Sequence, residues 1–235
     1  MNDFSVPNLQ AAARLHLVGV AGTGMQPLAI LLQEAGYRVS GSDRTDGPRM
    51  AALRALGIDA CAGSNPQAVA GATRVVASPL IPADDPEMRA ARSLGIPVMA
   101  RADMLAQLVA PRDTICVSGS HGKTTTSALL THILRRAGRD PGFMVGGAAP
   151  ILGGSSARLG AASAPFVLEA CEAFGALAVW QPRHIILTNI DDEHSEDYGG
   201  LSGLKAAFLA YASRLPAGGV LMACGDDPGD LRQQA

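Results

Sequence analysis

The sequence predicts an α/β fold in which a doubly wound parallel sheet is built twice. Two observations carry this reading. Short runs rich in Val, Ile and Leu alternate with stretches of helical spacing. Two of the strand-to-helix junctions are rich in glycine, Gly19-Val-Ala-Gly22-Thr-Gly24 and Gly119-Ser-His-Gly122-Lys123. Runs that are apolar throughout suit strands buried on both faces of a parallel sheet, and such strands are joined by right-handed crossovers.

In order, the expected strands are Leu15–Val20, Tyr37–Ser40, Arg74–Ser78, Pro97–Ala100, Thr114–Ser118, Phe166–Ala170, His184–Asn189 and Val220–Cys224. Between the first two, Met25, Leu28, Leu31, Leu32 and Ala35 share a helical face, and Gly36 supplies the stop. After the second glycine-rich junction, Leu129, Leu130, Ile133 and Leu134 repeat the pattern. Arg135 and Arg136 then stand in the last turn and Gly138 just beyond it. The segment Val109-Ala-Pro-Arg-Asp113 breaks the periodicity, so the expected domains are residues 1–110 and 111–235. The Gly-, Ala- and Ser-rich tract Gly146–Ala164 reads as an irregular loop.

Composition narrows the function classes. A chain of 235 residues that is 48% apolar and 17% charged is globular with substantial cores. A formal net charge of -2 argues against nucleic acid or an anionic membrane as partner. Aromatics at 4% supply no stacking platform for single strands. Cys61, Cys116, Cys171 and Cys224 are widely spaced and form no Cys-x-x-Cys, so spacing suggests neither a zinc site nor a disulfide framework. Three of the four adjoin apolar runs and read as core residues. The start MNDFSVPNLQ lacks the pattern of a signal peptide, and no apolar run reaches the length of a membrane span. A reducing cytoplasm is the expected location.

The first glycine-rich turn, Gly19 to Met25, suits close approach of backbone amides to a phosphate at a helix N-terminus. Asp43 follows the second strand, where a ribose-binding carboxylate stands in dinucleotide folds. The glycines read G-x-x-G-x-G rather than the dinucleotide fingerprint, and a tight turn with no ligand is the plain alternative.

The second junction resembles a phosphate-binding loop but is shorter than the common G-x-x-x-x-G-K-[ST] pattern. Only Ser120 and His121 separate Gly119 from Gly122. The two glycines can turn amides inward, and Thr124–Thr126 opens a helix whose free N–H groups extend the cradle. Lys123 can reach the β- and γ-phosphates, and Thr124 has the position of a Mg²⁺-ligating hydroxyl. The alternative is a Ser/Thr-capped helix with a surface lysine.

Ligands of open α/β sheets bind at the carboxyl ends of strands. Glu169 ends one later apolar strand, and Thr188-Asn189 to His194 follows another. A half-buried strand-end carboxylate is costly unless paired or metal-bound. Glu172 and Asp191–Glu193 stay ambiguous, since loop acids are usually solvated. Cys171 reads as a packing residue rather than a nucleophile.

Together these residues resemble the Mur ligases, which build the peptide stem of bacterial cell-wall precursors. Val18–Met25 followed by Ser40-Gly-Ser42-Asp43 looks like the family's UDP-sugar-binding start. Gly119–Thr126 is similar to its Gly-Thr-His-Gly-Lys-Thr-Thr-Thr loop, with Ser120 in place of the first threonine. His121 favours the alanine-adding branch and its close relatives. Glu169-Ala-Cys-Glu172 resembles the Glu-Ala-Asp-Glu or Glu-Ala-Cys-Glu segment, and Thr188 to His194 the Thr-Asn-Ile-x-x-Asp-His segment, with Glu193 replacing aspartate. Arg101-Ala-Asp-Met-Leu105 and Asp226-Asp-Pro228 also fit, whereas Ser78-Pro79-Leu80 departs from the usual Ser-Ser-Ala.

The resemblance implies a Rossmann-like UDP-sugar-binding domain followed by an incomplete P-loop-type ATP-binding domain, truncated at Ala235. It implies ATP and Mg²⁺ as cofactors and UDP-N-acetylmuramic acid and L-alanine as substrates, joined through an acyl phosphate. Gly22, Thr23, Gly24 and Met25 would cradle the UDP diphosphate, with Ser42 and Asp43 nearby. Gly119, Ser120, His121, Gly122, Lys123, Thr124 and Thr125 would hold ATP, with Asn189 supporting the phosphate or metal shell. Lys123, Glu169 and His194 would carry catalysis, and Thr124, Glu169 and His194 would ligate metal. A ligase that reattaches recycled tripeptide and a non-catalytic UDP-sugar- or ATP-binding module stay open, and an ATP-hydrolysing switch is weaker.

Overall fold

The computed structural model describes residues 6, 9, 10 and 12–227. Pro228, the end of the range expected to 235, and most of the N-terminal stretch read for a leader lie outside the described residues. The chain divides into two compact units, Met1–Leu108 with Ala157–Leu159, and Val109–Ser156 with Gly160–Ala235. Among the described residues no helix is long and apolar enough to cross a membrane.

The first unit is a parallel sheet of β1 (Arg14–Val18), β2 (Arg38–Asp43), β3 (Asp59–Ala62), β4 (Arg74–Ala77) and β5 (Val98–Ala100), in the order β3-β2-β1-β4-β5. The order reverses between β1 and β4. That is the topological switch point at which such sheets bind ligands. Helix α1 (Met25–Glu34) buries the face expected of it, since Met25, Leu28, Leu31, Leu32 and Ala35 are all in the core. Helices α2 (Pro48–Ala55), α3 (Pro66–Val69) and α4 (Pro86–Ser93) each begin with proline, whose missing N–H costs nothing there. Asn65 and Asp85 cap the last two through side-chain oxygens. Helix α5 (Arg101–Val109) follows β5.

The second unit contains β6 (Thr114–Ser118), β7 (Gly142–Met144), β9 (Phe166–Glu169), β10 (His184–Leu187) and β11 (Val220–Ala223), ordered β11-β10-β6-β9-β7 with parallel neighbours. Helix α6 (Lys123–Arg136) leaves the end of β6, and α7 (Leu201–Ala212) precedes β11. The face of α6 differs from the sequence reading. Leu130 and Leu134 pack on the core beside buried Ser127, Ala128 and Thr131, while Leu129 and Ile133 are 50% and 53% exposed. At 3.6 residues per turn Leu129 and Ile133 flank the buried stripe rather than join it.

Three strands escaped the sequence reading, β3, β7 and a two-residue strand. β3 (Asp-Ala-Cys-Ala) and β7 (Gly-Phe-Met) contain no Val, Ile or Leu to mark them. The tract read as irregular contains a 3₁₀ turn at Pro150–Leu152 and a two-residue strand, β8 (Ala157–Arg158). The cysteines are also corrected. Cys116 is buried, Cys61 and Cys171 are partly exposed, and Cys224 is exposed.

Beneath the switch point of the first unit lies a buried polar network. Glu87 accepts from the Ser42 hydroxyl at 2.6 Å and the Asn65 N–H at 2.6 Å, and its Oε1 stands 3.4 Å from His16 Nε2. His16 Nδ1 reaches the Ser40 hydroxyl at 3.0 Å. Burial pushes the Glu87 carboxyl up, but the hydrogen bonds from His16, Ser42 and Asn65 together prevail and hold it below the ordinary range. A depressed carboxylate contributes stability present above its unfolded value and lost as pH falls through its folded value. Unfolding measured against pH is therefore expected to show a loss of stability below about pH 4.5 that flattens in Glu87→Gln. Glu87→Ala, which strips three buried groups of their acceptor, is expected to cost on the order of 3 kcal/mol in denaturant titration.

Candidate functional site

In the first unit, the turn after β1 is held from β2. The Gly19 and Val20 N–H groups both donate to the Ser42 carbonyl at 2.9 Å, and the Ala21 N–H donates to Asp43 Oδ2 at 3.0 Å. Gly22 closes the turn on the Gly19 carbonyl. The Thr23 and Gly24 amides have no hydrogen-bond partner among the described residues. The Arg101 guanidinium lies against this turn, since a Cβ on Gly24 would fall 1.6 Å from Arg101 Nη1 and displace it. A guanidinium and two unpaired amides thus meet at the N-terminus of α1, an arrangement suited to a phosphate. The adjoining cleft of about 460 Å³ is lined by Gly19, Gly22, Asp43, Arg44, Ser64 and Leu80.

Two expected contact residues take other roles. The Met25 side chain is 1% exposed and belongs to the core. Ser42 lines the cleft, but it is 3% exposed and its hydroxyl is committed to Glu87.

In the second unit, the short loop after β6 is clamped by the segment that follows β10. The Ser120 N–H donates to the Asn189 carbonyl at 3.0 Å and the His121 N–H to Asn189 Oδ1 at 2.8 Å. Asn189 Nδ2 and Thr188 Oγ1 both donate to the His121 carbonyl, at 3.2 and 2.7 Å. The Ser120 hydroxyl donates to the Asp191 carbonyl and accepts from the Asp191 N–H. Gly119 is obligatory here. Its φ is +122°, and a Cβ would lie 2.3 Å from Thr188 Oγ1 and 2.6 Å from the Asn189 carbonyl oxygen. The Asn189 side chain, expected in the phosphate or metal shell, is thereby spent on shaping the loop.

Helix α6 then starts from Gly122 at φ +80° with no side-chain cap. The amides of Gly122, Lys123, Thr124 and Thr125 find no partner among the described residues. The capped-helix alternative therefore fails, and the open amides and helix dipole form an anion cradle. Thr124 Oγ1 donates to Glu169 Oε1 at 3.1 Å, bringing hydroxyl and carboxylate together across β6 and β9. The Gly146 N–H fixes the other carboxylate oxygen at 2.6 Å, and a Cβ on Gly146 would come within 2.5 Å of Glu169 Oε1.

Lys123 folds back over the loop. Its Nζ donates to the Gly119 and Ser120 carbonyls at 2.6 and 2.8 Å and to Glu172 Oε1 at 3.0 Å. Glu172 is 0% exposed, so the solvated reading of this acid is corrected. Burial raises its carboxyl above the ordinary value, and the Lys123 charge offsets part of that rise. Cys171, Glu172 and His194 bring ligand atoms within 4.8 Å of one another. His121 is exposed and flanked by Asp191 and Glu193 at 3.5 and 3.3 Å. Reading the sequence missed the roles of Gly146, Thr188 and Arg101 at Gly24. No local pattern marks any of them, since each acts on a partner far along the chain.

An α/β unit with open amides at a short glycine loop, a lysine and a hydroxyl–carboxylate pair has the architecture of the phosphate-loop class, here joined to a Rossmann-like unit. Residues 14–112 match the Mur ligase family catalytic domain, and residues 117–235 match the Mur ligase middle domain. The chain belongs to the Mur ligase family. It is similar to the UDP-N-acetylmuramate–L-alanine ligase of Methylibium petroleiphilum, 43% identical over 220 residues that cover 93% of this chain and 46% of that protein. The ligase of the same description from Frankia casuarinae is 42% identical over 226 residues, covering 94% and 45%. Among solved structures, the UDP-N-acetylmuramate:L-alanyl-gamma-D-glutamyl-meso-diaminopimelate ligase from Neisseria meningitides superposes with a TM-score of 0.87 at 28% identity, covering 96% of this chain and 76% of that one. The UDP-N-acetylmuramate-alanine ligase from Thermotoga maritima gives 0.85 at 26%, covering 93% and 50%. The chain spans about half the length of the curated relatives it matches.

Asn189→Ala removes both side-chain bonds that clamp His121. At about 1 kcal/mol for each net bond, the affinity for a fluorescent ATP analogue is expected to fall about 30-fold in a binding titration. Unchanged affinity would show that the clamp does not shape the cradle.

Proposed function

We propose that this chain carries the UDP-sugar- and ATP-binding machinery of a ligase that joins L-alanine to UDP-N-acetylmuramic acid with consumption of ATP. The observation that carries the reading is the uncapped start of α6, with four open amides beside the Thr124–Glu169 pair. The curated relatives named as L-alanine ligases support the substrate assignment. In the first unit, the Thr23 and Gly24 amides with Arg101 would receive the UDP diphosphate, and Asp43 would lie beside it. The two units are thus proposed as a UDP-sugar domain and an ATP domain, acting in the cytoplasm.

The residues present fit Mg²⁺. Thr124 and Glu169 offer only oxygen, the donor set of a hard cation, and the neighbouring amides leave room for phosphate oxygens. Bound there, Mg²⁺ would supply charge neutralisation on the phosphates. By family resemblance, His194 would add a neutral imidazole ligand.

The chain's own groups then bind and orient. Lys123 exchanges Glu172 and the loop carbonyls for β- and γ-phosphate oxygens. The open amides of the second unit hold the phosphates. That carboxylate attacks the γ-phosphorus, releasing ADP and forming an acyl phosphate. The amine of L-alanine attacks the acyl carbon, and the tetrahedral intermediate expels phosphate, leaving the amide. All of these partners are anionic except the amine, so positioning and charge stabilisation dominate the catalysis.

The likeness to the Neisseria structure favours a second reading, in which a recycled tripeptide replaces L-alanine. Phosphate release from ATP with UDP-N-acetylmuramic acid, measured alone, with L-alanine and with tripeptide, separates the two. Release that depends on L-alanine supports the first reading. Binding of both nucleotides without release would make this chain a binding module. Lys123→Ala is expected to lower release by about 10²-fold, the usual effect of losing a charge-stabilising donor. Near-wild-type rates would overturn its assignment.

A further inference from the structure

We infer that Glu87 is a positioning residue for the UDP-sugar, fixing through Ser42 and Asn65 two of the segments that line the first unit's cleft. The inference rests on the reading of that cleft as the UDP-sugar site. The glycine turn lines it with Gly19 and Gly22, the β3–α3 loop with Gly63 and Ser64, and the start of α4 with Asp85. Glu87 stands in the first turn of α4 and is 1% exposed. Asp85 caps that turn by accepting from the Glu87 N–H at 2.8 Å, so the backbone of Glu87 is itself held.

Each carboxylate oxygen serves one segment. Oε2 accepts from the Ser42 hydroxyl at 2.6 Å, and the carbonyl of the same serine holds the Gly19 and Val20 N–H groups at 2.9 Å. Oε1 accepts from the Asn65 N–H at 2.6 Å, immediately after the cleft-lining Ser64. The Gly63 N–H donates to the Asp43 carbonyl at 2.7 Å, which ties the same loop to the end of β2. His16, 0% exposed, stands 3.4 Å from Oε1.

A carboxylate beneath a diphosphate site is costly in two ways. It is desolvated, and its charge opposes the ligand. What it supplies in return is direction. Two short charge-assisted bonds fix Ser42 and Asn65 at defined distances, which an apolar side chain of the same volume cannot do. Backbone donors placed in advance on the ligand are what tight anion recognition requires. Charge and position therefore predict opposite signs. Removing the charge alone would tighten binding, whereas loosening the turn weakens it. Glu87→Gln keeps one acceptor oxygen and replaces the other by a donor.

The test is calorimetric titration of the 235-residue chain with UDP-N-acetylmuramic acid. Glu87→Gln and Ser42→Ala are each expected to weaken binding about tenfold. The double variant should also be about tenfold weaker, because both substitutions cut the same contact. Affinity for a fluorescent ATP analogue should not change in any of them. Without ligand, the Gly19 and Val20 amides of Glu87→Gln should exchange with deuterium severalfold faster, while the amides of β1 keep their protection. Unchanged or tighter binding in Glu87→Gln, or single losses that multiply to about a hundredfold in the double variant, overturns the inference and leaves the reading of the site intact. A wild-type chain that binds no UDP-sugar overturns both. Ser42→Ala removes only a hydroxyl, so it decides the matter where Glu87→Gln does not fold, and wild-type affinity in it overturns the inference.

Discussion

The hydrogen-bonded seam between Gly119–His121 and Thr188–Asp191 is the interaction on which the rest of the second unit depends. β6 and β10 pair in parallel as far as Ser118 and Leu187, and the seam continues that pairing beyond both strands. Peptide groups that would otherwise face the cradle are turned sideways into it. Because the Ser120 and His121 amides are spent there, the next four can point at one anion. A loop this short has too few residues to shape itself. Its neighbour supplies the missing constraints, through one asparagine that donates and accepts on the same residue, His121.

The first unit solves the same problem from beneath. The glycine turn hangs from the Ser42 carbonyl and the Asp43 carboxylate, and Ser42 in turn is held by Glu87. Glu87 also holds Asn65, which caps α3. One buried carboxylate therefore ties β2, α3 and α4 together at the carboxyl edge of the sheet. Removing a single partner leaves a buried polar group unsatisfied, which is why such a network fixes geometry more firmly than its net stability suggests.

What the sequence made legible was whatever local spacing encodes. Apolar runs marked the long strands, and glycines marked both anion turns. The face of α1 followed from periodicity, and all five residues read on it lie in the core. The face of α6 did not, since Leu129 and Ile133 look like core residues and lie just outside the buried stripe. Long-range placement was illegible for a physical reason. Glu172 is buried only because Lys123, forty-nine positions earlier, folds onto it. Asn189 reads as a ligand until Gly119 is seen pressed against its backbone. The proximity of His194 to Cys171 and Glu172 has no spacing signature, because these side chains meet through strand order rather than through sequence.

Those placements set two neighbouring acids apart. Glu169 and Glu172 are separated by only Ala170 and Cys171, yet their surroundings differ sharply. Glu169 is held by a hydroxyl and a backbone N–H, both donors that leave its lone pairs open to a hard ion and its phosphate. Glu172 is sealed in the interior between an ammonium and a thiol–imidazole pair. Its charge is tolerable while Lys123 is folded back and costly once Lys123 turns outward. Any anion that draws Lys123 out of the loop therefore leaves a buried carboxylate in need of another positive partner.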